Sequence, residues 1–185
     1  MLSVNVTEII NKCKKSDRQA QVVLYNWLAP KLLGLCVRYF KDRSEAEDVM
    51  QDALVKIFMS LDKYTYDSNF EAWCKRVALN CALNQLKIKN RMLFDRDLRK
   101  IENIEFNEAE VGAVSQQQIL ACLDELPDGY RTIVNLFLFD GFSHKDISEK
   151  LGISESTSRS QYSRARQQLS KALKEKINNS ETKLA

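Results

Sequence analysis

Residues 143–169 read SHKDISEKLGISESTSRSQYSRARQQL, and this stretch decides the fold of the second half of the chain. Ser143 and Asp146 have the spacing of a capping box, which predicts the start of a short helix that ends near Leu151. Gly152 suits a turn, and Ser154 suits the N-cap of a long final helix. A short helix, a glycine turn and a second helix together predict a helix-turn-helix.

The long final helix has two different faces. The face predicted to point inward carries Ser158, Tyr162, Ala165 and Leu169. The face predicted to point outward carries Ser156, Arg159, Ser160, Ser163, Arg164 and Gln167, with Arg166 at its flank. Because arginine pairs with guanine edges and hydroxyls bind phosphates, the outward face suits the major groove of DNA. The alternative is an exposed face in a helical bundle that binds no DNA.

Two further helices precede this motif. One is predicted from Val114 to Leu126 and ends at Pro127, and the next begins at Pro127-Asp128 and stops at Asp140-Gly141. His144 is the one histidine of the chain. We expect it to be a solvent-exposed residue in the first turn of the short helix rather than a catalyst.

A helix over residues 44–61 is predicted from a second capping box, Ser44 and Glu47. Its buried face recurs at three- and four-residue steps and comprises Ala46, Val49, Met50, Ala53, Leu54, Ile57, Phe58 and Leu61. The opposite face comprises Asp48, Gln51, Asp52, Val55 and Met59. A mixture of acids and exposed apolar residues is typical of a docking surface, although a merely solvated face is the alternative.

A helix over residues 70–90 follows a polar, aromatic loop at residues 62–69. Its apolar residues fall on two arcs: Phe70, Cys74, Val77, Cys81 and Ile88 on one, and Ala72, Leu79, Ala82, Leu83 and Leu86 on the other. The strip between the arcs carries Trp73, Arg76, Asn80, Asn84 and Lys87. Aromatic, amide and cationic side chains together favour single-stranded nucleic acid, because they stack on bases, pair with base edges and neutralise phosphates. A solvated strip on an ordinary amphipathic helix is the alternative.

The whole chain is predicted to be all-α. Glycine and proline are scarce, at five and two residues, and further helices are predicted over residues 7–14 and 18–40, with Pro30 kinking the second. Residues 92–113 hold six acidic and three basic residues without a sustained apolar period. We therefore predict two small helical domains, residues 1–91 and 114–185, joined by a flexible acidic linker at 92–113.

Several chemistries are disfavoured. The five cysteines, at positions 13, 36, 74, 81 and 122, form no C-x-x-C pair, so we expect buried thiols in a reducing compartment rather than zinc ligands or disulfides. The sequence contains no P-loop, no G-x-G-x-x-G and no recognisable catalytic arrangement, which predicts neither enzyme activity nor a cofactor, metal or small-molecule substrate.

The sequence also lacks a signal-peptide pattern and an apolar run of the ~20 residues that span a bilayer. We expect a cytoplasmic protein without membrane insertion.

Two sets of motifs, in this order, resemble one known family. The first set is AEDVMQDAL at 46–54, FEAW at 70–73 and RVALN at 76–80. The second is LDELP at 123–127 through Arg131, GFS at 141–143, LGIS at 151–154 and RAR at 164–166. They resemble regions two and four of the extracytoplasmic-function sigma factors of the sigma-70 family, over residues 18–91 and 114–175.

The resemblance implies a non-enzymatic transcription initiation factor that binds RNA polymerase core and reads the minus-ten and minus-thirty-five promoter elements while aiding melting. Asp48, Gln51 and Asp52, with Val55 and Met59 on the same stripe, would face the clamp coiled coil of the beta-prime subunit. The beta flap, promoter DNA and an anti-sigma factor are the further partners that the resemblance implies. The acidic linker would thread toward the polymerase active site and RNA exit path.

The resemblance also implies two sets of DNA-binding residues. Those for the minus-ten element, where a base would flip into a pocket, are Tyr64, Tyr66, Asn69, Trp73, Arg76, Asn80, Asn84 and Lys87. Those for the minus-thirty-five element are Ser156, Arg159, Ser160, Ser163 and Arg164, with Arg166 expected on the backbone.

The sequence departs from the family pattern at four positions, which affects the expected promoter sequence. Leu79 and Asn84 stand where arginine and aspartate are frequent, and Ser148 and Ser158 replace small apolar and branched residues of the helix-turn-helix core. Two other functions stay open from the residues alone. A stand-alone helix-turn-helix repressor or activator would explain residues 141–175, and a helical adaptor would bind no DNA.

Overall fold

The computed structural model describes residues 6–65, 69–89 and 115–181, without the side chains of residues 89, 116 and 174–181. The chain divides into two compact units, Met1–Ile88 and Lys89–Ala185. Within the described ranges every regular element is helical, which confirms the all-α prediction. The predicted linker at 92–113 lies outside the described residues, so the exact domain boundaries stay predictions.

The first unit contains four α-helices within its described residues. They are α1 (Val6–Lys14), α2 (Arg18–Tyr39), α3 (Arg43–Met59) and α4 (Phe70–Lys89), with a short 3₁₀ turn at Leu61–Lys63. Helix α2 continues through Pro30 and packs against both α1 and α3. Its buried leucines, Leu24, Leu28, Leu32 and Leu35, are spaced by three or four residues and therefore share one face.

Helix α2 is the one helix among the described residues that is long and apolar enough to cross a membrane by length and composition. Core helices of water-soluble domains pass the same test. Here the leucines of α2 lie in the core of the first unit, in contact with neighbouring helices. The packing therefore accounts for the leucines of α2, whereas Val22, Val23 and Tyr25 on the same helix stay exposed.

Helix α3 buries the face that the sequence predicts, except that Phe58 is only half-buried. Its N-terminus differs from the prediction. Asp42, not Ser44, is the N-cap: its carboxylate accepts a hydrogen bond from the Ser44 amide at 2.8 Å. Glu47 does not close a capping box either, since it accepts a hydrogen bond from Arg43 Nε at 2.8 Å. The N-cap thus lies two residues earlier than expected, and the helix begins at Arg43.

The second unit contains four α-helices and one π-helical turn within its described residues. They are α5 (Gln116–Glu125), α6 (Asp128–Val134), the π turn (Asn135–Phe139), α7 (His144–Leu151) and α8 (Glu155–Glu181). Side chains of α5, α6 and α8 form its core, which includes Cys122, Leu123, Leu126, Tyr130, Val134, Ala165 and Leu169. This core anchors α8, the second helix of the helix-turn-helix, to α5 and α6.

The helix-turn-helix forms as predicted. Ser143 and Asp146 make the capping box of α7, and Gly152 ends that helix with φ at +71°, a left-handed conformation that favours glycine. The Ser154 hydroxyl accepts a hydrogen bond from the Thr157 amide at 3.0 Å and so caps α8. These local contacts set the angle at which α8 leaves the turn.

A buried arginine joins α5 to α6. Arg131 is 1% exposed, and its guanidinium donates hydrogen bonds to the carbonyls of Leu123 at 2.9 Å and Leu126 at 3.0 Å. The carboxylates of Asp124 and Asp128 lie 3.8 and 3.6 Å from the same group. Burial lowers the pKa of Arg131, and the two carboxylates partly offset this effect. The arginine thus satisfies carbonyls at the C-terminal end of α5.

Candidate docking and nucleic-acid interfaces

The face of α3 opposite the core is exposed along its whole length. We call Asp48, Gln51, Asp52, Val55 and Met59 the docking face; the structure leaves all five exposed. Val55 and Met59 are 56% and 79% exposed, which is unusual for large apolar side chains unless a partner covers them. Acidic and apolar groups therefore share one accessible surface, as the sequence predicts, with the acids toward the start of α3 and the apolar residues toward its end.

A cleft of about 590 Å³ lies beside the docking face and was not predicted from the sequence. Its lining includes Val22 and Tyr25 of α2 and Phe58 of α3. The Tyr25 hydroxyl accepts a hydrogen bond from Gln51 Nε2 at 3.2 Å, which links the cleft to the docking face. Val22 and Tyr25 are exposed, and the apolar pattern of α2 in the sequence does not separate them from its buried leucines.

The polar strip of α4 is present as predicted. Trp73 is half-buried, and Arg76, Asn80, Asn84 and Lys87 are exposed. The two flanking apolar arcs are not buried along their whole length, because Ala72 and Ile88 are exposed at the two ends of the helix. The strip nevertheless presents one aromatic ring, two amides and two cations on one side of α4.

Trp73 rests on a cluster of aromatic rings. Its ring centroid lies 5.7 Å from that of Phe70 and 5.5 Å from that of Tyr64, and Phe70 also stacks on Trp27 at 6.4 Å. Tyr64 is only 6% exposed. Tyr64 is one of the residues that the resemblance implies for minus-ten binding. Its ring is buried against Phe70 and Trp73 and supports the Trp73 ring, and its role in DNA binding stays a prediction.

Asn69 has a local role that the sequence analysis missed. Its side-chain carbonyl accepts a hydrogen bond from the Ala72 amide at 3.2 Å, so it caps the start of α4. A cleft of about 400 Å³ opens beside it, lined in part by Tyr64, Phe70 and Trp27. Tyr66 lies outside the described residues.

An ion-pair network fixes the first turn of α4 to α2. Glu71 contacts the ammonium groups of Lys31, on α2, and Lys75, at 2.7 Å on its own helix. The hydrogen bonds from Lys31 and Lys75 lower the pKa of Glu71. The Lys31 ammonium also lies 3.9 Å from the centroid of the Trp27 ring. The network holds the end of α4 that carries Trp73.

The outward face of α8 is accessible. Ser156, Arg159, Ser160 and Ser163 are exposed, and Arg164 and Arg166 are half-buried. Arg159 is held by Glu155, whose carboxylate oxygen accepts hydrogen bonds from its Nε at 3.2 Å and its Nη2 at 2.5 Å. Gln167 was expected on this face but is buried, as are Ala165 and Leu169 on the core side of α8.

The inward face of α8 contains the predicted Ser158, which is fully buried. Its hydroxyl lies 2.9 Å from Nδ1 of His144. His144 also stacks on Phe137, with ring centroids 4.5 Å apart. The expectation of a solvent-exposed histidine was therefore wrong: His144 is half-buried between α7, the π turn and α8. Burial is the main reason that its pKa is lowered, and Arg159 adds to the effect.

All five cysteines are buried and free, as predicted. Burial raises the pKa of Cys36 and of Cys74 to about 12, which keeps these thiols protonated and unreactive near neutral pH. Among the described residues no group of three or more histidine, cysteine, aspartate or glutamate side chains is arranged to hold a metal ion.

Comparison with known proteins places both units in one family. Residues 24–92 match sigma-70 region 2, and residues 116–169 match sigma-70 region 4. The RNA polymerase sigma-H factor of Pseudomonas aeruginosa is 32% identical over 179 residues, covering 90% of this chain and 92% of that protein. The ECF RNA polymerase sigma factor SigW of Bacillus subtilis is 25% identical over 190 residues, covering 94% of this chain and 100% of that protein.

A solved structure of a sigma factor shares the fold. The sigma factor RpoE from Bartonella quintana, in a co-crystal structure with the anti-sigma factor NepR, is 28% identical and superposes with a TM-score of 0.51. The alignment covers 81% of this chain and 94% of that one.

The chain belongs to the extracytoplasmic-function RNA polymerase sigma factors of the sigma-70 family. It is therefore a transcription initiation factor that binds RNA polymerase core and directs it to promoters, and it is not an enzyme. This result rules out both a stand-alone repressor and a helical adaptor that binds no DNA.

Proposed function

We propose that each of the three exposed faces makes a different contact during transcription initiation. The docking face of α3 binds the beta-prime clamp coiled coil, the strip of α4 holds the melted minus-ten strand, and the outward face of α8 reads the minus-thirty-five element. The observation that carries this proposal is the docking face, on which two large apolar residues stay exposed beside two acids.

The docking face suits a partner that is both cationic and apolar. Asp48 and Asp52 supply charge that steers association and fixes register, and Val55 and Met59 supply apolar area to be buried. The neighbouring cleft enlarges this area through Tyr25, which Gln51 holds at the border between the two surfaces. A partner on the docking face of α3 can therefore also contact α2 through the lining of the cleft.

The strip of α4 suits an unpaired strand. Trp73 is half-exposed and backed by Phe70 and Tyr64, so it can receive a base without first ordering its own ring. Asn80 and Asn84 are exposed amides that can pair with base edges. The cleft beside Asn69 is the candidate pocket for a flipped base.

The outward face of α8 suits the major groove. Its serine hydroxyls are short enough to let the helix approach the DNA backbone, and Arg159 is pre-oriented by Glu155. Leu138 and Phe139 at the end of the π turn are also exposed. We assign them to the contact with the beta flap, because they offer apolar area away from α8.

We also propose that an anti-sigma factor regulates this chain in the cytoplasm. The Bartonella quintana relative was solved in complex with an anti-sigma factor. The exposed apolar residues of the docking face and cleft are a surface that such a factor could occupy in place of polymerase. Five free, buried thiols suit the reducing cytoplasm.

Charge reversal tests the docking assignment. Asp52→Lys should lower co-purification with core polymerase by about tenfold, since it places a like charge against a cationic partner. Asp62→Lys is the matched control, because Asp62 is an exposed aspartate of the same unit that lies off the docking face. Equal core binding by the two variants would contradict the assignment, provided that circular dichroism shows both to be folded.

A further inference from the structure

A polar contact lies in the interior of the helix-turn-helix, where apolar packing is usual. Ser158 is fully buried on the inner face of α8, and its hydroxyl is 2.9 Å from Nδ1 of His144 on α7. The two residues are 14 positions apart in the chain, so this hydrogen bond joins the two helices of the motif. A buried hydroxyl without such a partner costs about 1–3 kcal/mol, which gives the contact energetic weight.

The imidazole of His144 is held on more than one side. Its ring is nearly parallel to that of Phe137, with an interplanar angle of 17° and centroids 4.5 Å apart. The ring of Tyr162, on α8, meets it edge-on at 5.6 Å, and Tyr162 also packs on Phe137 at 4.5 Å. His144 is thus clamped between the π turn and α8, and its ring has little freedom to turn.

The charged groups that act on His144 come from α8. Arg159 lowers the pKa of the imidazole and Glu155 raises it, while burial has the largest effect and lowers it. The net effect favours the neutral imidazole, whose Nδ1 can either donate to or accept from the Ser158 hydroxyl in the observed bond, depending on the tautomer.

Ser158 precedes Arg159 on α8, so the inward contact and the outward arginine are rigidly related. A side chain at the surface of a helix lies about 5–6 Å from the axis, so a 10° rotation of α8 would move it by about 1 Å. Recognition groups must be held within roughly 0.5 Å of their working positions. A contact that fixes the rotation of α8 can therefore decide whether Arg159 reaches its base.

We infer that His144 is a positioning residue for minus-thirty-five recognition: its bond to Ser158 and its stack on Phe137 fix the rotation of α8 and thereby place Arg159 against the DNA. The inference rests on the proposed role of α8. His144 acts through Ser158 and α8, without itself touching the promoter.

A pair of substitutions separates this role from others. His144→Phe keeps the stack on Phe137 and removes the bond, which leaves the Ser158 hydroxyl buried and unpaired. Ser158→Ala removes the hydroxyl from the other side. The double variant replaces both polar partners with apolar groups, a change that is close to neutral when shape is kept. Ser148→Ala is the matched control, because the Ser148 hydroxyl bonds within α7, to the Lys145 carbonyl at 2.7 Å.

The assay is transcription by core polymerase with each full-length variant at saturating concentration. One template is the promoter that the wild-type chain selects most strongly from a library with a randomised minus-thirty-five region. The other is the same promoter with that region scrambled. We expect His144→Phe to lower the preference for the first template by about tenfold, which corresponds to 1.4 kcal/mol. Ser158→Ala removes the same bond and should lower the preference to a similar extent. The double variant should stay lowered although its thermal midpoint is close to that of wild type, because it still lacks the bond.

Three results would overturn the inference. The single variants could keep the wild-type preference, which would make the bond irrelevant to recognition. The double variant could recover the wild-type preference, which would indicate that an unpaired buried polar group, and not the loss of the bond, weakens recognition. Activity could instead fall equally on both templates together with the thermal midpoint, which would indicate a purely structural role. If the wild-type chain itself shows no minus-thirty-five preference, the assignment of α8 fails, and this inference fails with it.

Discussion

Replacement of Arg131 by methionine should destabilise the second unit without affecting the first. Methionine keeps most of the side-chain length and is tolerated in apolar surroundings. It removes the two hydrogen bonds to the carbonyls of Leu123 and Leu126, at 2.9 and 3.0 Å, that link α5 to α6. The change in the free energy of unfolding of the second unit therefore measures the contribution of the buried Arg131 at the C-terminal end of α5.

The magnitude follows from the contacts. Hydrogen bonds from charged donors contribute about 1.5–3 kcal/mol each. The Leu123 carbonyl also accepts the Leu126 amide at 3.1 Å, so it keeps a partner after the substitution. Burial of the guanidinium, which lowers its pKa, opposes folding and is relieved by methionine. The expected net loss is about 2–3 kcal/mol, a factor of roughly 30 to 150 in the unfolding equilibrium.

Both units can be followed in the same sample. Trp27 and Trp73 both lie in the first unit, so tryptophan fluorescence reports its unfolding alone. Amide hydrogen exchange of peptides from residues 115–173 reports the second unit. Arg159→Met is the control, because Arg159 is exposed and its loss should change stability by no more than about 0.5 kcal/mol. Exchange protection in Arg131→Met within that same margin, or an equal shift of the tryptophan signal, would refute the reasoning.

Three further predictions concern DNA binding and pH. Trp73→Ala and Asn80→Ala should impair open-complex formation more than closed-complex binding, since a stacked base contributes roughly 1–3 kcal/mol; a normal permanganate footprint in both variants would mean that the strip is only solvated. At least one of Arg159→Ala and Arg164→Ala should relax the preference at one minus-thirty-five position in a promoter library, at about 1–3 kcal/mol, whereas uniform loss for both would leave only phosphate contacts. The pKa of His144 is lowered in the folded state. The contribution of His144 to the free energy of unfolding of the second unit is therefore present above the unfolded-state pKa of about 6.5, and it is lost as the pH falls through the folded-state pKa. The amide protection factors of that unit, which correct for the intrinsic pH dependence of exchange, should therefore fall more between about pH 7 and about pH 5 in wild type than in His144→Phe, and identical profiles would contradict this.

Features set by neighbouring residues in the chain could be predicted. The capping box of Ser143 and Asp146 and the left-handed Gly152 depend on contacts within a few positions, so the helix-turn-helix could be located from the sequence. The docking face could be predicted for a related reason: helical period alone separates Val55 and Met59 from the buried residues of α3.

Features set by tertiary packing could not be predicted. Asp42 and Ser44 are both competent caps, and only the path of the chain between α2 and α3 decides between them. Tyr64 stands in a polar loop without a period, so nothing local indicates that it turns inward onto Phe70. His144 lies 14 residues from Ser158, which is beyond the reach of any helical pattern.

The central claim is that this chain directs core polymerase to promoters. The most direct measurement is transcription in vitro on a promoter library with core polymerase alone, with the chain added, and with start sites mapped. Binding of the chain alone to the selected promoters is measured in parallel. The account predicts specific initiation and promoter occupancy only when both proteins are present, with two sequence blocks shared by the selected templates. Tight, specific binding by the chain alone, without initiation when core is added, would contradict it.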